Sequence, residues 1–478
     1  MKKTKLALGI IVALGAVWTA GSWYTGKQIE SRMDGVIKQA NQKLQTMLPE
    51  ANITLSYQDL KRGVFSSSVQ LQLHIPEENG DKSNQNTIAF QQEISHGPFP
   101  RLSTFSFSPA LAAVKTTLVN NETLKPLFDI TEGQSMIEAD TVINYGGSVD
   151  TTAKIIPVEH KGSNDDYFAS QGATFTFSGT STQDNKVSGN IGKLALSGKF
   201  DGNQMLKVEF EGIDLTTNSK QSPSGLTVGE QSVTLRNLMI AADNEPQVAL
   251  QGLGIKTSLK ENDKKIDGIV DYSVDALSVQ KTDYGSGNLV VKLGNIDAPA
   301  LKAYFDELQT VLDSPAQYTT DNGNAENFVV NSLQQTLARH PALLSNNPYV
   351  SIAPFSWKNS KGEATLTFNA VIQPPVQTEN TLMPAFLQAV KSAEMNINVP
   401  KDVLAEFSSK VMMQQGLSQE EAKQMAAQQL DMVILASQAH NILTIKDNVI
   451  SGAMKYTDGK VTINGETSSL EEFIQKNM

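Results

Sequence analysis

The sequence predicts an α+β protein: an N-terminal transmembrane helix, an extended antiparallel β-sheet region, then a mixed helical C-terminal region that ends in a β-hairpin. Three observations carry this expectation. The run from Leu6 to Tyr24 contains no charged side chain. From about Ser135 to Ile296, apolar and polar residues alternate with period two, the signature of strands wet on one face. Beyond Pro299 the apolar spacing lengthens to that of helices, until Asp458-Gly459 joins two short alternating runs. The chain of 478 residues is long enough for several folded units. The expected division is a cytoplasmic tail (1–5), a signal anchor (6–24), a stalk helix with a first β-rich unit (25–134), an antiparallel β region (135–298) and an α+β region (299–478).

The anchor comes first. At about 1.5 Å per residue, Leu6–Tyr24 is close to one hydrocarbon thickness. Lys2, Lys3 and Lys5 precede it and Trp18, Trp23 and Tyr24 lie at its far end. Positive charge before the span places the N-terminus in the cytoplasm and the bulk of the chain in the periplasm. A cleaved signal peptide is the rival reading, with Ala20-Gly21-Ser22 as its small-residue site. Lys27–Leu48 has helical spacing at Ile29, Met33, Val36, Ile37, Leu44 and Leu48, and Pro49 ends it.

Two strands follow, through Ile53, Leu55 and Tyr57 and then Val69, Leu71 and Leu73, with a turn at Arg62-Gly63. Glu77–Thr87 reads as an exposed loop. Ser108-Pro109 reads as the start of a short helix reaching Val119. In the β region, Leu206, Val208 and Phe210 alternate with charged residues, as do Val270, Tyr272 and Val274, and Leu289, Val291 and Leu293. In the last third, Pro299–Leu312, Ala325–Arg339, Pro384–Glu394 and Val403–Gln415 read as helices and Ala364–Ile372 as a strand. Ser418 and Glu421 form a capping box before a helix that reaches His440. The closing hairpin pairs Val449–Tyr456 with Lys460–Ile463, and Asn464-Gly465 is one more turn.

Composition narrows the function. The chain has no cysteine, which excludes disulfides, thiolate metal sites and a cysteine nucleophile. Its net charge of −11 argues against nucleic acid as a partner. The five histidines, His74, His96, His160, His340 and His440, show no metal-ligand spacing. Gly285-Ser286-Gly287, Gly189–Lys193 and Gly252-Leu253-Gly254 each fail the hydrolase, phosphate-loop and dinucleotide patterns. No catalytic, cofactor-binding or metal residue is therefore assigned, and the expectation is a protein that is not an enzyme.

Three segments stand out. His96-Gly97-Pro98-Phe99-Pro100 sets a titratable ring beside a rigid turn. Its packing reading, in which Gly97 and Pro98 shape the backbone and Phe99 fills a core, is favoured. Arg62-Gly63-Val64-Phe65-Ser66-Ser67 is read the same way. Met412, Met413, Met425 and Met432 make the C-terminal helices soft and apolar, suited to lining a groove, a core or a dimer seam.

The anchor, the Arg62–Ser67 and His96–Pro100 segments and the terminal Asp458-Gly459 and Asn464-Gly465 turns together resemble the YdgA/YihF family of proteobacterial envelope proteins. The likeness runs over nearly the whole length, with Val64 standing where an aromatic residue is expected. The resemblance implies inner-membrane anchorage, a periplasmic domain and self-association, and it supplies no catalytic residue. The leading expectation is a non-enzymatic interaction or scaffold protein of the cell envelope, homodimeric and tied to the inner membrane through residues 6–24. The alternative is a lipid-binding or lipid-transfer module with an apolar groove on the sheet. A hydrolase with a spatially assembled site comes third.

Overall fold

The computed structural model describes residues 2–47, 51–76, 85–102, 105–162, 166–180, 184–200, 204–243, 245–312, 339–374, 389–439 and 442–477. The chain forms two compact units, one of residues 1–163 with 167–194, the other of residues 164–166 with 195–478. Antiparallel strands dominate both, with a few helices added.

One long helix organises the first unit. α1 (Lys2–Met47) passes without a break through the expected span and the expected stalk. The stalk is instead part of the core: Ile29, Met33 and Ile37, spaced for one helix face, pack with Val69, Ile94 and Ala112. The far end of the expected span is also seated on protein. Ser22 is fully buried, and a Cβ at Gly21 would lie 3.0 Å from the Pro98 ring. A helix turn packed against Pro98 does not offer that face to lipid. Among the described residues, no helix is long and apolar enough to cross a membrane. That finding corrects the expected single-pass inner-membrane placement, with its cytoplasmic tail, anchor and periplasmic bulk. The side chains of residues 6–18 lie outside the described residues.

The sheet of this unit runs β1 (Thr54–Arg62), β2 (Ser66–Pro76), β3 (Gln85–His96), β4 (Ala112–Leu118), β5 (Ile137–Ile143), β6 (Val149–Ile155), β9 (Ala173–Gly179) and β10 (Asn185–Ile191), every neighbouring pair antiparallel. β7 (Val158–Lys161) and β8 (Tyr167–Ser170) form a separate hairpin. A short helix, α2 (Lys125–Ile130), buries Phe128 with Leu118 and Leu124. β4 replaces the helix expected after Ser108-Pro109. Its β-branched residues Val114, Thr116 and Thr117 pair with Ile94, Gln92 and Gln91 of β3, and that ladder outweighs the local helix-start signal. Gln85–Thr87 likewise belongs to β3 rather than to a loop; the rest of that expected loop, 77–84, lies outside the described residues.

β11 (Leu194–Phe200) begins at the boundary. The second unit then forms a meander of long strands: β12 (Gln204–Gln221), β13 (Thr227–Ala242), β14 (Glu245–Asn262), β15 (Lys265–Val279), β16 (Thr282–Asp297), β17 (Tyr349–Asn359), β18 (Gly362–Ile372), β19 (Val390–Pro400) and β21 (Val449–Thr457), each antiparallel to the one before. β20 (Thr444–Lys446), β22 (Lys460–Ile463) and β23 (Glu466–Ser469) extend it as short hairpins. Several connections have positive φ at both central residues: Asp263-Lys264, Gln280-Lys281, Asp447-Asn448, Asp458-Gly459 and Asn464-Gly465. This is the backbone of the two-residue turn whose twist matches that of the strands it joins.

Helices are set on this sheet rather than replacing it. α3 (Ala298–Leu312) packs Ala298 and Leu301 with Leu226, Val228 and Ile266. α4 (Lys401–Gln414) and α5 (Gln419–Ala439) form a helical hairpin closed by Met412, Ala422 and Ala426. Ser418 caps α5 and pairs with Glu421 at 2.6 Å. α6 (Leu470–Asn477) ends the chain. The C-terminal region is less helical than expected: α3 to α6 and the closing hairpin are present, but strands β17–β23 continue the sheet through it. Of the expected helix Pro384–Glu394, residues 390–394 belong to β19, where Ala393 and Glu394 pair with β18 and β21. Residues 384–388 lie outside the described residues, as do 325–338 of the expected helix Ala325–Arg339.

Candidate functional site

Two features stand out, one in each unit. In the first unit, the motif residues converge. Gly63 N–H donates to Ser66 O at 2.8 Å and so closes the turn that Arg62 and Gly63 start. Phe65 O then accepts from His96 N–H at 2.8 Å. The His96 side chain is 2% exposed and Ser67 is 5% exposed. Ser67 Oγ lies 2.8 Å from His96 Nε2, and Val64 O lies 3.1 Å from Nδ1. The tautomer that satisfies both carries its proton on Nδ1, donates to Val64 O and accepts from the Ser67 hydroxyl. Gly97 follows at the end of β3, and its N–H donates to Leu111 O at 2.8 Å. A Cβ at Gly97 would overlap Ala110 O. The Gly97-Pro98 peptide bond is cis.

α1 covers this node. The Cα of Gly26 lies directly against the His96 ring, so that an added Cβ would overlap it. Arg62 Nε donates to Glu30 Oε2 at 2.7 Å. Tyr57 donates to Asp34 at 2.6 Å, and this hydrogen bond is the leading reason its hydroxyl titrates above the usual range. Asn41 completes the seam by exchanging two hydrogen bonds with the Leu55 backbone. Burial pushes the His96 pKa below its ordinary value, and Arg62 adds to that; hydrogen bonds to the Val64 and Ser22 backbone act the other way. A serine hydroxyl donating to an imidazole is an arrangement used for nucleophilic catalysis. Here both groups are buried beneath α1, Ser67 at 5% and His96 at 2% exposure, which is poor access for a substrate.

The second feature is a stripe of apolar side chains on the long sheet. The register aligns Leu215, Val233, Ile255, Tyr272, Leu289, Phe355, Leu366 and Ile397 as one row across eight strands. Two residues along, or three on β17 where the register shifts, a second row runs Val270, Val291, Ile352, Phe368, Met395, Met454 and Ile463. On the other side of the first row lie Ile213 and Leu235, then Gly287, Trp357 and Ala364. None of these side chains is charged. Of the positions on the other face, Asp214, Thr234, Lys256, Asp271, Asn288, Ser356, Thr365 and Asn396 are polar, while Val290 and Ile269 are apolar. At about 4.8 Å between strands the first row is roughly 34 Å long.

α4 closes one border of the stripe. Phe407 meets Tyr284 and Trp357 edge-on, at centroid distances of 5.6 and 6.4 Å, and Lys410 and Gln414 reach the backbone at Asp283 and Val279. The border toward α3 passes through Leu259 into the buried cluster around Ile266. Between them, Val233, Ile255, Tyr272, Val350 and Phe355 remain 36% to 43% exposed.

The remaining residues singled out from the sequence fall elsewhere. Asp458, Gly459, Asn464 and Gly465 form hairpin turns of the second unit. Met412 is buried between α4 and α5. Met413, Met425 and Met432 are exposed on those helices. Among the described residues, no group of three or more acidic or histidine side chains is placed to hold a metal ion. The clearest remaining polar cluster is on the surface, where Glu307 accepts from Arg339 at 2.5 Å and from His340 at 2.7 Å.

The model of the family described as "Bacterial protein of unknown function (DUF945)" matches residues 1–471. This chain belongs to the DUF945 family. Protein YdgA of Escherichia coli is 33% identical over 99% of this chain and 96% of its own length. The uncharacterized Escherichia coli protein YihF is 27% identical over 99% of this chain and 98% of its own. An uncharacterized Haemophilus influenzae protein is 33% identical over 32% of this chain and 42% of its own length. No solved structure matches. Membership of DUF945 brings no known activity, so the function of this chain has to be argued from its own geometry.

Proposed function

We propose that this DUF945 protein works by binding rather than by catalysis, and that the apolar stripe of the second unit binds an extended alkyl chain such as the acyl chain of a lipid. The observation that carries this is the eight-strand row from Leu215 to Ile397, uncharged along its length and partly exposed at its centre. A monomer seldom leaves so continuous an apolar surface uncovered without a use for it. Its shape favours an alkyl chain over a compact ligand: the first row is roughly 34 Å long and without charged side chains, and it is flanked by the second row from β15 onward and by the third at β12–β13 and β16–β18. The opposite face carries charged side chains such as Asp214, Lys256, Asp271 and Lys292, which the stripe does not.

The test is binding of a fluorescent long-chain fatty acid and a neutral long-chain alcohol to the full chain, with native mass spectrometry of the protein as purified. The Ile255→Asp and Leu289→Asp variants place a carboxylate in the row and are expected to weaken binding about tenfold or more. Lys256→Glu, on the polar face, is expected to leave it unchanged. No binding by the folded wild type, or equal binding by all three variants, would refute the proposal.

A second reading is self-association, favoured by the exposed apolar side chains of α5. Met425, Met432, Val433 and Leu435 all point outward, with Leu435 at 71% exposure. Either reading is compatible with a scaffold role, and they differ in which surface is occupied.

A further inference from the structure

We infer that His96 is a pH-sensitive latch that holds the docked part of α1 onto the sheet of the first unit, and that protonating its ring releases the helix. The geometry makes the ring a shared wall. From the sheet side it is fixed by Ser67 Oγ at 2.8 Å and Val64 O at 3.1 Å. From the helix side Gly26 rests on it, and the neighbouring Ser22 is fully buried with its hydroxyl unpartnered. A ring so enclosed has no water to solvate a positive charge.

The Val64 and Ser22 backbone favours a charged ring, but burial opposes it more strongly and Arg62 adds to that opposition. From β1, Arg62 faces the ring and is itself joined to Glu30 of α1. Lys27, beside Gly26 on α1, sits over the Trp23 ring at 5.6 Å. β2 contributes Ser67, which does not titrate in this range. The Tyr145 hydroxyl approaches Gly97 and is pushed above the usual tyrosine range by burial. A second proton would turn Nε2 from acceptor to donor. The Ser67 hydroxyl can rotate to accept it, so the unfavourable effect comes mainly from desolvated charge beside Arg62. This agrees with the lowered pKa of the ring.

The direction follows. With helix and sheet apart the ring titrates near the ordinary value, about 6.5. Docked, it titrates lower, so the released state binds more protons. Docking is then fully favoured above about pH 6.5 and weakens as the pH falls below it, until the docked ring itself is protonated. Each pH unit in that window multiplies the released population by up to about tenfold.

Hydrogen exchange of the full chain, corrected for the intrinsic pH dependence of the chemistry, reads this directly. Between about pH 7.5 and 5.5, peptides covering residues 19–30 should lose protection by up to about tenfold, while β13–β15 should not change. His96→Gln keeps an acceptor for Ser67 and a donor for Val64 O but cannot titrate. It should flatten the response of residues 19–30. Retention of the full response by this variant, or a flat response in the wild type, would overturn the latch. Should His96→Gln fail to fold, ring-resonance titration of wild-type His96 decides: a pKa below the ordinary value supports the latch and one at or above it overturns it.

Discussion

Gly26 and Gly35 sit in the same helix under opposite constraints. Replacing a helical glycine by alanine normally stabilises by about 0.5–1 kcal/mol, because the unfolded chain loses freedom and the helix gains a better former. At Gly35 a Cβ meets nothing within 4 Å, so that gain stands alone. At Gly26 the Cβ overlaps the His96 ring, which is held by Ser67 and Val64 and cannot swing aside. Overpacking of this kind costs about 1–3 kcal/mol and outweighs the helix term. Gly35→Ala is therefore expected to raise the midpoint of thermal unfolding followed in the first unit, and Gly26→Ala to lower it. An equal rise in both would show that α1 stands off from His96. The Arg62–Glu30 pair, half-exposed, carries less: such pairs contribute about 0–1 kcal/mol, and its use here is to orient charge near the ring.

Among the elements, α5 has the least explained surface. Its buried side is met by Ala422 and Ala426 against Met412, small residues that let α4 approach closely. Its other side shows Met425, Met432 and Leu435. If that side pairs with a second copy, Met432→Glu combined with Leu435→Glu should convert a dimer to a monomer in light scattering of the full chain. A wild type that is monomeric at high concentration would remove the self-association reading and leave the stripe untouched. The strands were largely legible in the sequence because alternation and turn chemistry are local: Leu206–Phe210, Val270–Val274 and Asp458-Gly459 each announce themselves within ten residues. β4 was not, because Ser108-Pro109 imitates a helix start and a short apolar run fits either period. The start of β19 is hidden for the same reason, after Pro384. The His96 node was legible only as two separate motifs; that α1 covers both follows from packing between distant segments. The stripe was hidden more deeply still. Each strand shows its own apolar face, but the alignment of Tyr272 with Leu289 and of Leu289 with Phe355 is set by long-range register.

Along the stripe of the second unit, the apolar rows are free of charge. The net charge of −11 is carried by residues away from the stripe, whose rows contain none. Two ligand classes should therefore respond differently to salt. A neutral long-chain alcohol gains only from apolar burial, about 25 cal/mol per Å², which moderate salt barely alters. A fatty-acid anion gains the same burial while its carboxylate approaches an acidic protein, and that repulsion is screened as the Debye length falls from about 30 Å at 0.01 M to about 8 Å at 0.15 M. Raising sodium chloride over that range should tighten anion binding by a few fold and leave alcohol binding unchanged. A fatty acid that binds more weakly with added salt would mean that a cationic group holds its head, placing the ligand away from the uncharged stripe. Loss of alcohol binding with salt would show that the contact is not apolar, and the sheet face would then have to be read as a surface for another protein.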